Sequence, residues 1–137
     1  MIIQTLGIIK PDAVNRHLEN VILQRLNSEC LTVKKIKKTK LNKQTAEKLY
    51  YEHKNKPFYQ KLINYITSGD IIVLLIEGND AINKWRDIIG NTDPLKAKPG
   101  TIRRQYALNK TQNSVHGSTS ENDAIREINI FFPQTTP

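Results

Sequence analysis

The run Asn113-Ser-Val-His116-Gly117-Ser118 gathers an amide, an imidazole and a hydroxyl in one short stretch, read as a turn. The chain has only three histidines, and this one has a chemical setting. An imidazole titrates near 6.5, so at pH 7 most of it is unprotonated and can act as nucleophile or base. Gly117 removes a side chain that would crowd the approach, and Ser118 can orient a neighbour. The stretch between Ile71 and His116 carries Arg86, Thr92, Lys98, Arg103 and Arg104. Guanidinium forks match phosphate oxygens, and a threonine hydroxyl donates to another. Lys10 follows a strand end, where an amine can reach a sugar hydroxyl or a phosphate. Such a set suits phosphoryl transfer, which needs positioning and cations around the moving group. The Gly-x-x-x-x-Gly-Lys phosphate loop, zinc-ligand spacing and the Gly-x-Ser-x-Gly elbow are absent from the sequence. Taken singly, Arg86 reads as a solvated helix residue, Lys10 as a strand terminus and Thr92 as a cap for the turn at Pro94. His17 and His53 read as surface residues.

The elements that must position these groups alternate in type. Gln4 to Ile9 reads as a strand, ended by Lys10-Pro11, with Asp12 able to cap the next element. Leu18 to Leu26 has helical apolar spacing, and Thr32 to Thr39 is β-rich with lysines interspersed. Asn42 caps a helix over Thr45 to His53, and another helix begins near Phe58 behind Pro57. The apolar run Ile71 to Ile76 suits a buried strand. Asn79 or Asp80 caps a helix over Ala81 to Ile89, ended by Gly90. Asn91 to Val115 reads as a long irregular segment, which is usually functional. Glu121 to Ile128 reads as a helix, and Asn129 to Phe132 as a last edge strand. This order predicts an α/β (α+β) fold: a ferredoxin-like βαββαβ arrangement, a four-stranded antiparallel sheet covered by helices.

The 137 residues, 38% hydrophobic and 25% charged, suit a single domain over 1–137 with a packed core. No apolar run approaches the roughly 18 residues of a membrane-spanning helix, so no membrane partner is expected. Met1 is followed by no basic leader, and the single cysteine allows no intrachain disulfide; a reducing, cytoplasmic setting is expected. The net charge of +8 attracts anions. Lys34, Lys35, Lys37, Lys38, Lys40 and Lys43 form one cluster, without the interleaved aromatics of a nucleic-acid stacking platform, so nucleic acid is a secondary partner.

Six motifs, in order and without gaps, carry a resemblance along nearly the whole chain. They are Ile8-Ile9-Lys10-Pro11-Asp12, Lys56-Pro57-Phe58-Tyr59, Thr67-Ser68-Gly69, Gly90-Asn91-Thr92-Asp93-Pro94, Lys98-Pro99-Gly100-Thr101-Ile102-Arg103 and the histidine run. The chain resembles the nucleoside diphosphate kinase family. The resemblance implies transfer of a γ-phosphoryl group from ATP or another nucleoside triphosphate to His116, then to a nucleoside diphosphate, through a phosphohistidine in a ping-pong cycle. It implies that Glu127 accepts a hydrogen bond from the other ring nitrogen, that Ser118 supports Glu127, and that Tyr50 sits beside the histidine. It implies that Arg86, Thr92 and Arg103 hold the phosphates, that Lys10 and Asn113 meet the ribose hydroxyls, and that Phe58 stacks on the base. Mg2+ is expected on the nucleotide phosphates, and a homo-oligomer, hexamer or tetramer, is expected.

Three positions depart from the family pattern. Thr119 stands where an aspartate usually contacts the metal through water. Arg104 stands where a glycine usually follows Thr-Ile-Arg. Lys110 stands where an apolar residue usually faces the stacking phenylalanine, which bears on base preference. Two other readings compete: a nucleic-acid-binding protein built on the lysine cluster, and a catalytically silent interaction module, for which Thr119 is the feature.

Overall fold

The computed structural model describes residues 2–133. Four strands, β1 (Ile2–Ile9), β2 (Thr32–Lys40), β3 (Asp70–Asn79) and β4 (Val115–Gly117), form one antiparallel sheet in the order β2-β3-β1-β4. The helices are α1 (Pro11–Asn15), α2 (Glu19–Ser28), α3 (Lys43–Leu49), α4 (Tyr59–Ile66), α5 (Ala81–Ile89), α6 (Ile102–Tyr106) and α7 (Glu121–Phe131), with a 3-10 turn at Tyr51–His53. The βαββαβ order of the ferredoxin-like fold is present, with α3 and α4 inserted between β2 and β3.

Both faces of β3 are buried, which is why it reads as a continuous apolar run rather than an alternating one. Ile71 to Ile76 are all buried. Ile72, Leu74 and Ile76 pack with Ile22 and Leu26 of α2 and Trp85 of α5 on one face. Ile71 and Val73 pack with Leu49, Ile63, Ile66 and Phe131 from α3, α4 and α7 on the other. Each such side chain gains about 1.5–3 kcal/mol from leaving water.

Local signals set the helix starts. Asn42 Oδ1 accepts from Thr45 N (2.8 Å) at α3, Thr101 Oγ1 from Arg104 N (3.3 Å) at α6, and Ser120 Oγ from Asp123 N (3.1 Å) at α7. Glu121 and Asp123 lie in the first turn of α7, where the helix dipole favours negative charge.

Several expectations are corrected. The C-terminal stretch Asn129 to Phe132 is not an edge strand; α7 runs on to Phe131. Ala124, Glu127 and Phe131 share its buried face, and the free side of β1 is already taken by β4. His116 lies on that strand, paired with Ile8, rather than in a turn; the turn is at Ser114, just before it. The segment Asn91 to Val115 contains α6. The expected helix over Thr45 to His53 begins at Lys43, breaks after Leu49 and resumes as the 3-10 turn. At α1 the cap position is Lys10 with Pro11 first in the helix, and Asp12 uses its carboxylate elsewhere. Asp80 is the cap position of α5, but its carboxylate accepts from Asn83 Nδ2 (3.0 Å) instead of a backbone N–H.

The lysine-rich β2 is an edge strand, and Lys34, Lys35, Lys37, Lys38 and Lys40 are exposed. Charges on a sheet edge oppose further strand pairing. Among the described residues, no helix is long and apolar enough to cross a membrane.

Candidate active site

The sheet and α5 fix the backbone of His116 together. β4 pairs with β1, and Trp85 Nε1 of α5 donates to the His116 carbonyl at 3.1 Å. Trp85 is fully buried. A Cβ on Gly117 would stand 2.8 Å from Trp85 Cδ1 and 3.1 Å from Ile89 Cδ1. Gly117 therefore makes room for the tryptophan, which corrects the expectation that it clears the approach to the histidine.

The ring is fixed from α7. Glu127 Oε1 lies 2.8 Å from His116 Nε2 and accepts from Ser118 Oγ at 2.9 Å. Glu127 and Ser118 are buried. A carboxylate on Nε2 favours the tautomer with its proton there, which leaves a lone pair on Nδ1. Among the described residues Nδ1 has no hydrogen-bond partner. Tyr50, at the end of α3, meets the imidazole edge-on at 6.3 Å between ring centroids. Burial, and next the charge of Glu127, push its phenol above the ordinary range, so it keeps its proton.

The imidazole opens on a cleft of about 1140 Å³. Six lysines (10, 56, 61, 96, 98 and 110) and the arginines 86 and 103 line it, against one carboxylate, Asp87. Arg103, on α6, is 9% exposed and donates to the carbonyls of Gly90 (3.0 Å) and Val115 (2.9 Å). Burial draws its pKa down to about 10, which leaves it a cation at neutral pH. Gly90, at φ 87°, ends α5 against Thr101, where a Cβ would meet Oγ1 at 2.6 Å. Arg86 is exposed on α5, with Nη1 3.5 Å from the Thr119 carbonyl. Thr92 is exposed in the cleft wall, and the turn around it is capped by Asn91 and Asp93, not by its own hydroxyl.

Lys10 and Asn113 meet at the cleft floor. Lys10 Nζ donates to Asn113 Oδ1 at 2.7 Å, and both residues are buried. Burial first, and the charge of Arg103 second, pull the lysine down to about 7, with Asp12 opposing. Phe58 lies exposed at the mouth with Lys110 in the same wall; Lys110 is 4.0 Å from Asp93.

The structure thus brings Lys10, Tyr50, Phe58, Arg86, Thr92, Arg103, Asn113 and His116 to one cleft, with Ser118 and Glu127 behind the histidine. Lys98 joins them, but Arg104 does not; it donates to the Leu95 carbonyl (3.1 Å) outside the cleft. His53 corrects the surface reading. It is half-buried in the cleft wall, 5.5 Å from the Phe58 ring, and burial draws its pKa down. His17 is exposed, as expected.

Among the described residues, no cluster of three or more His, Cys, Asp or Glu side chains could hold a metal ion. Thr119 faces the cleft, and its hydroxyl donates to Asp123 Oδ2 at 2.5 Å.

A carboxylate-held imidazole facing a strongly cationic cleft, on a ferredoxin-like sheet, suits a protein that handles phosphoryl groups. The family model for nucleoside diphosphate kinase matches residues 3–136. A nucleoside diphosphate kinase of Sulfurisphaera tokodaii is 47% identical, over 96% of this chain and 89% of its own length. One of Saccharolobus solfataricus is 46% identical, over 96% of each chain. The crystal structure of the Aquifex aeolicus nucleoside diphosphate kinase superposes with a TM-score of 0.93 at 36% identity, covering 96% of each chain. That of the Halobacterium salinarum enzyme, solved in complex with CDP, also reaches 0.93 at 36% identity, covering 98% of this chain and 90% of that one. The chain belongs to the nucleoside diphosphate kinase family.

Proposed function

We propose that residues 1–137 act as one catalytic domain that passes the γ-phosphoryl group of ATP or another nucleoside triphosphate to a nucleoside diphosphate by way of His116. The carrying observation is the 2.8 Å contact between Glu127 and His116 Nε2, which leaves Nδ1 as the nucleophilic nitrogen. The Nδ1 lone pair forms a P–N bond as the P–O bond to the leaving diphosphate breaks. The acceptor diphosphate then reverses the step. Glu127 offsets the charge on the ring while it carries the phosphoryl group, and Ser118 holds the carboxylate in place.

Arg103, Arg86 and Thr92 meet the phosphates, Lys10 and Asn113 the ribose hydroxyls, and Phe58 the base. Stacking on one ring face discriminates weakly among bases, which supports broad nucleotide acceptance. Mg2+ fits here as an ion that would arrive on the nucleotide phosphates, because Asp87 is the one carboxylate among the cleft's lining residues and the described residues hold no cluster of three or more His, Cys, Asp or Glu side chains. Such an ion would supply spreading of the phosphate charge, while the side chains named above do the positioning.

Incubation with γ-labelled ATP is expected to leave a label on the protein that is acid-labile, alkali-stable and discharged by any nucleoside diphosphate. A protein that stays unlabelled rejects the reading. A protein that binds nucleotide normally yet does not turn over would instead be the silent interaction module. Leu95 and Leu108, exposed around one surface pocket, support assembly into a homo-oligomer, tetramer or hexamer, and the single cysteine supports a reducing, cytoplasmic setting. Nucleic acid is a secondary partner, supported by the exposed lysines of β2.

The buried amine gives a pH signature. Above about pH 7 Lys10 is largely neutral in the free protein, and an anionic ligand favours its cationic form. Nucleotide binding is therefore expected to take up a proton between about pH 7 and 9, and Lys10→Gln to abolish the uptake. Titration calorimetry in buffers of different ionisation enthalpy measures it. Stability carries the same sign: between about 7 and 10.5 the unfolded chain holds more protons at this group than the native one, so its contribution rises with pH.

A further inference from the structure

Two residues before the histidine, the backbone is strained. Ser114 has φ 73°, in the left-handed region, and Val115 N donates to the Asn113 carbonyl at 2.9 Å. That closes a γ-turn of the positive-φ kind, which is rare for a residue with a Cβ. The turn is fully buried, and its side chain is claimed. Ser114 Oγ donates to Asp12 Oδ2 at 2.8 Å, and Ser114 N to Asp12 Oδ1 at 3.3 Å. Arg16 Nη2 reaches Asp12 Oδ2 (3.0 Å), Ser114 Oγ (3.1 Å) and the Tyr106 carbonyl of α6 (2.6 Å). The Tyr65 hydroxyl of α4 donates to Asp12 Oδ1 and accepts from Asp12 N. Asp12 is a buried carboxylate with every donor it needs, and it joins α1, α4, α6 and the segment before β4 at one point.

The Ser114 carbonyl also accepts from Lys10 N at 2.9 Å. Lys10 and Asn113, the pair bonded at the cleft floor, are therefore held on either side of this clamp. His116 is not. Its backbone is fixed by the β1 ladder and Trp85, and its ring by Glu127.

We propose that Ser114, clamped by Asp12 and Arg16, is a positioning residue for the bound nucleotide, setting Lys10 and Asn113 while leaving the reactivity of His116 to other contacts. This rests on the reading of Lys10 and Asn113 as nucleotide contacts.

The test compares two phosphoryl donors on the full chain. ATP needs the nucleotide contacts. Phosphoramidate carries no nucleoside, and it phosphorylates imidazole directly as its P–N bond breaks and ammonia leaves. Ser114→Ala is expected to raise KM for ATP about tenfold with kcat changed less than about threefold, and to leave the phosphoramidate rate unchanged. Ser114→Gly, which tolerates the left-handed backbone but lacks the hydroxyl, is expected to behave alike and serves if the alanine variant does not fold. Equal losses with both donors, or no loss with either, overturn the proposal. Lys10→Ala is measured alongside. If its KM rises while both Ser114 variants match wild type, the clamp alone is rejected. If its KM is unchanged, the reading of Lys10 fails and the clamp proposal falls with it.

Discussion

His116→Ala is expected to lower turnover by at least about 10⁵-fold and to abolish the phosphoryl label altogether. The size comes from the route. On the proposed route the phosphoryl group passes through one nitrogen, and among the described residues no other group in the cleft is built to replace it. His53 is the nearest alternative in kind. Its ring lies 6.1 Å from Tyr50 and 5.5 Å from Phe58, and among the described residues no carboxylate bonds it to fix a tautomer and its buried Nδ1 has no partner. Folding is expected to survive. The β4 ladder uses backbone groups, and Trp85 bonds the His116 carbonyl, which alanine retains. The measurement is a coupled turnover assay over several nucleoside diphosphates, with labelling by γ-labelled ATP and a thermal melt. A folded alanine variant that still takes up an alkali-stable label would show that the phosphoryl group rides on another residue.

Much of this site was legible in the sequence because motif residues carry their chemistry with them. His116, Arg103, Lys10 and Thr92 could be named from type, spacing and resemblance, and the structure places them in one cleft. The continuous run Ile71 to Ile76 marked the central strand because both faces of the sheet are covered. What failed was set by distant contacts. β4 spans three residues, Val115–Gly117, too few for a periodic signal, and it exists because β1 offers a free edge. Ile130, Phe131 and Phe132 read as a strand by composition, but the packing of this stretch on the α3 and α4 face keeps α7 helical to Phe131. Asp12 resembled a cap by its place after Lys10-Pro11. Its use as a clamp on a residue 102 positions away could not be read from local pattern. Gly117 was read as clearing the approach to His116, but the neighbour that demands its smallness, Trp85, lies on another element.

Arg103→Ala is expected to cost both stability and turnover, and the two losses have separate causes. The guanidinium bonds the carbonyls of Gly90 and Val115 at 3.0 and 2.9 Å, tying the end of α5 to the start of β4. Removing it leaves two acceptors short of a donor in a largely dry site, about 2–4 kcal/mol of stability. Its charge also sits in the cleft where phosphate charge is handled, and losing a fixed cation there is expected to lower turnover about 10³-fold. Arg103→Lys separates the two. An ammonium keeps the charge, but it cannot span both carbonyls as a fork does. The lysine variant is expected to recover about 10-fold or more of the lost turnover while regaining only part of the stability, roughly one carbonyl bond's worth. Denaturant melts and steady-state rates on the same preparations decide the matter. If both variants lose stability yet turn over normally per folded molecule, Arg103 is a brace between α5 and β4, and the phosphates must be held by Arg86 and the cleft lysines instead.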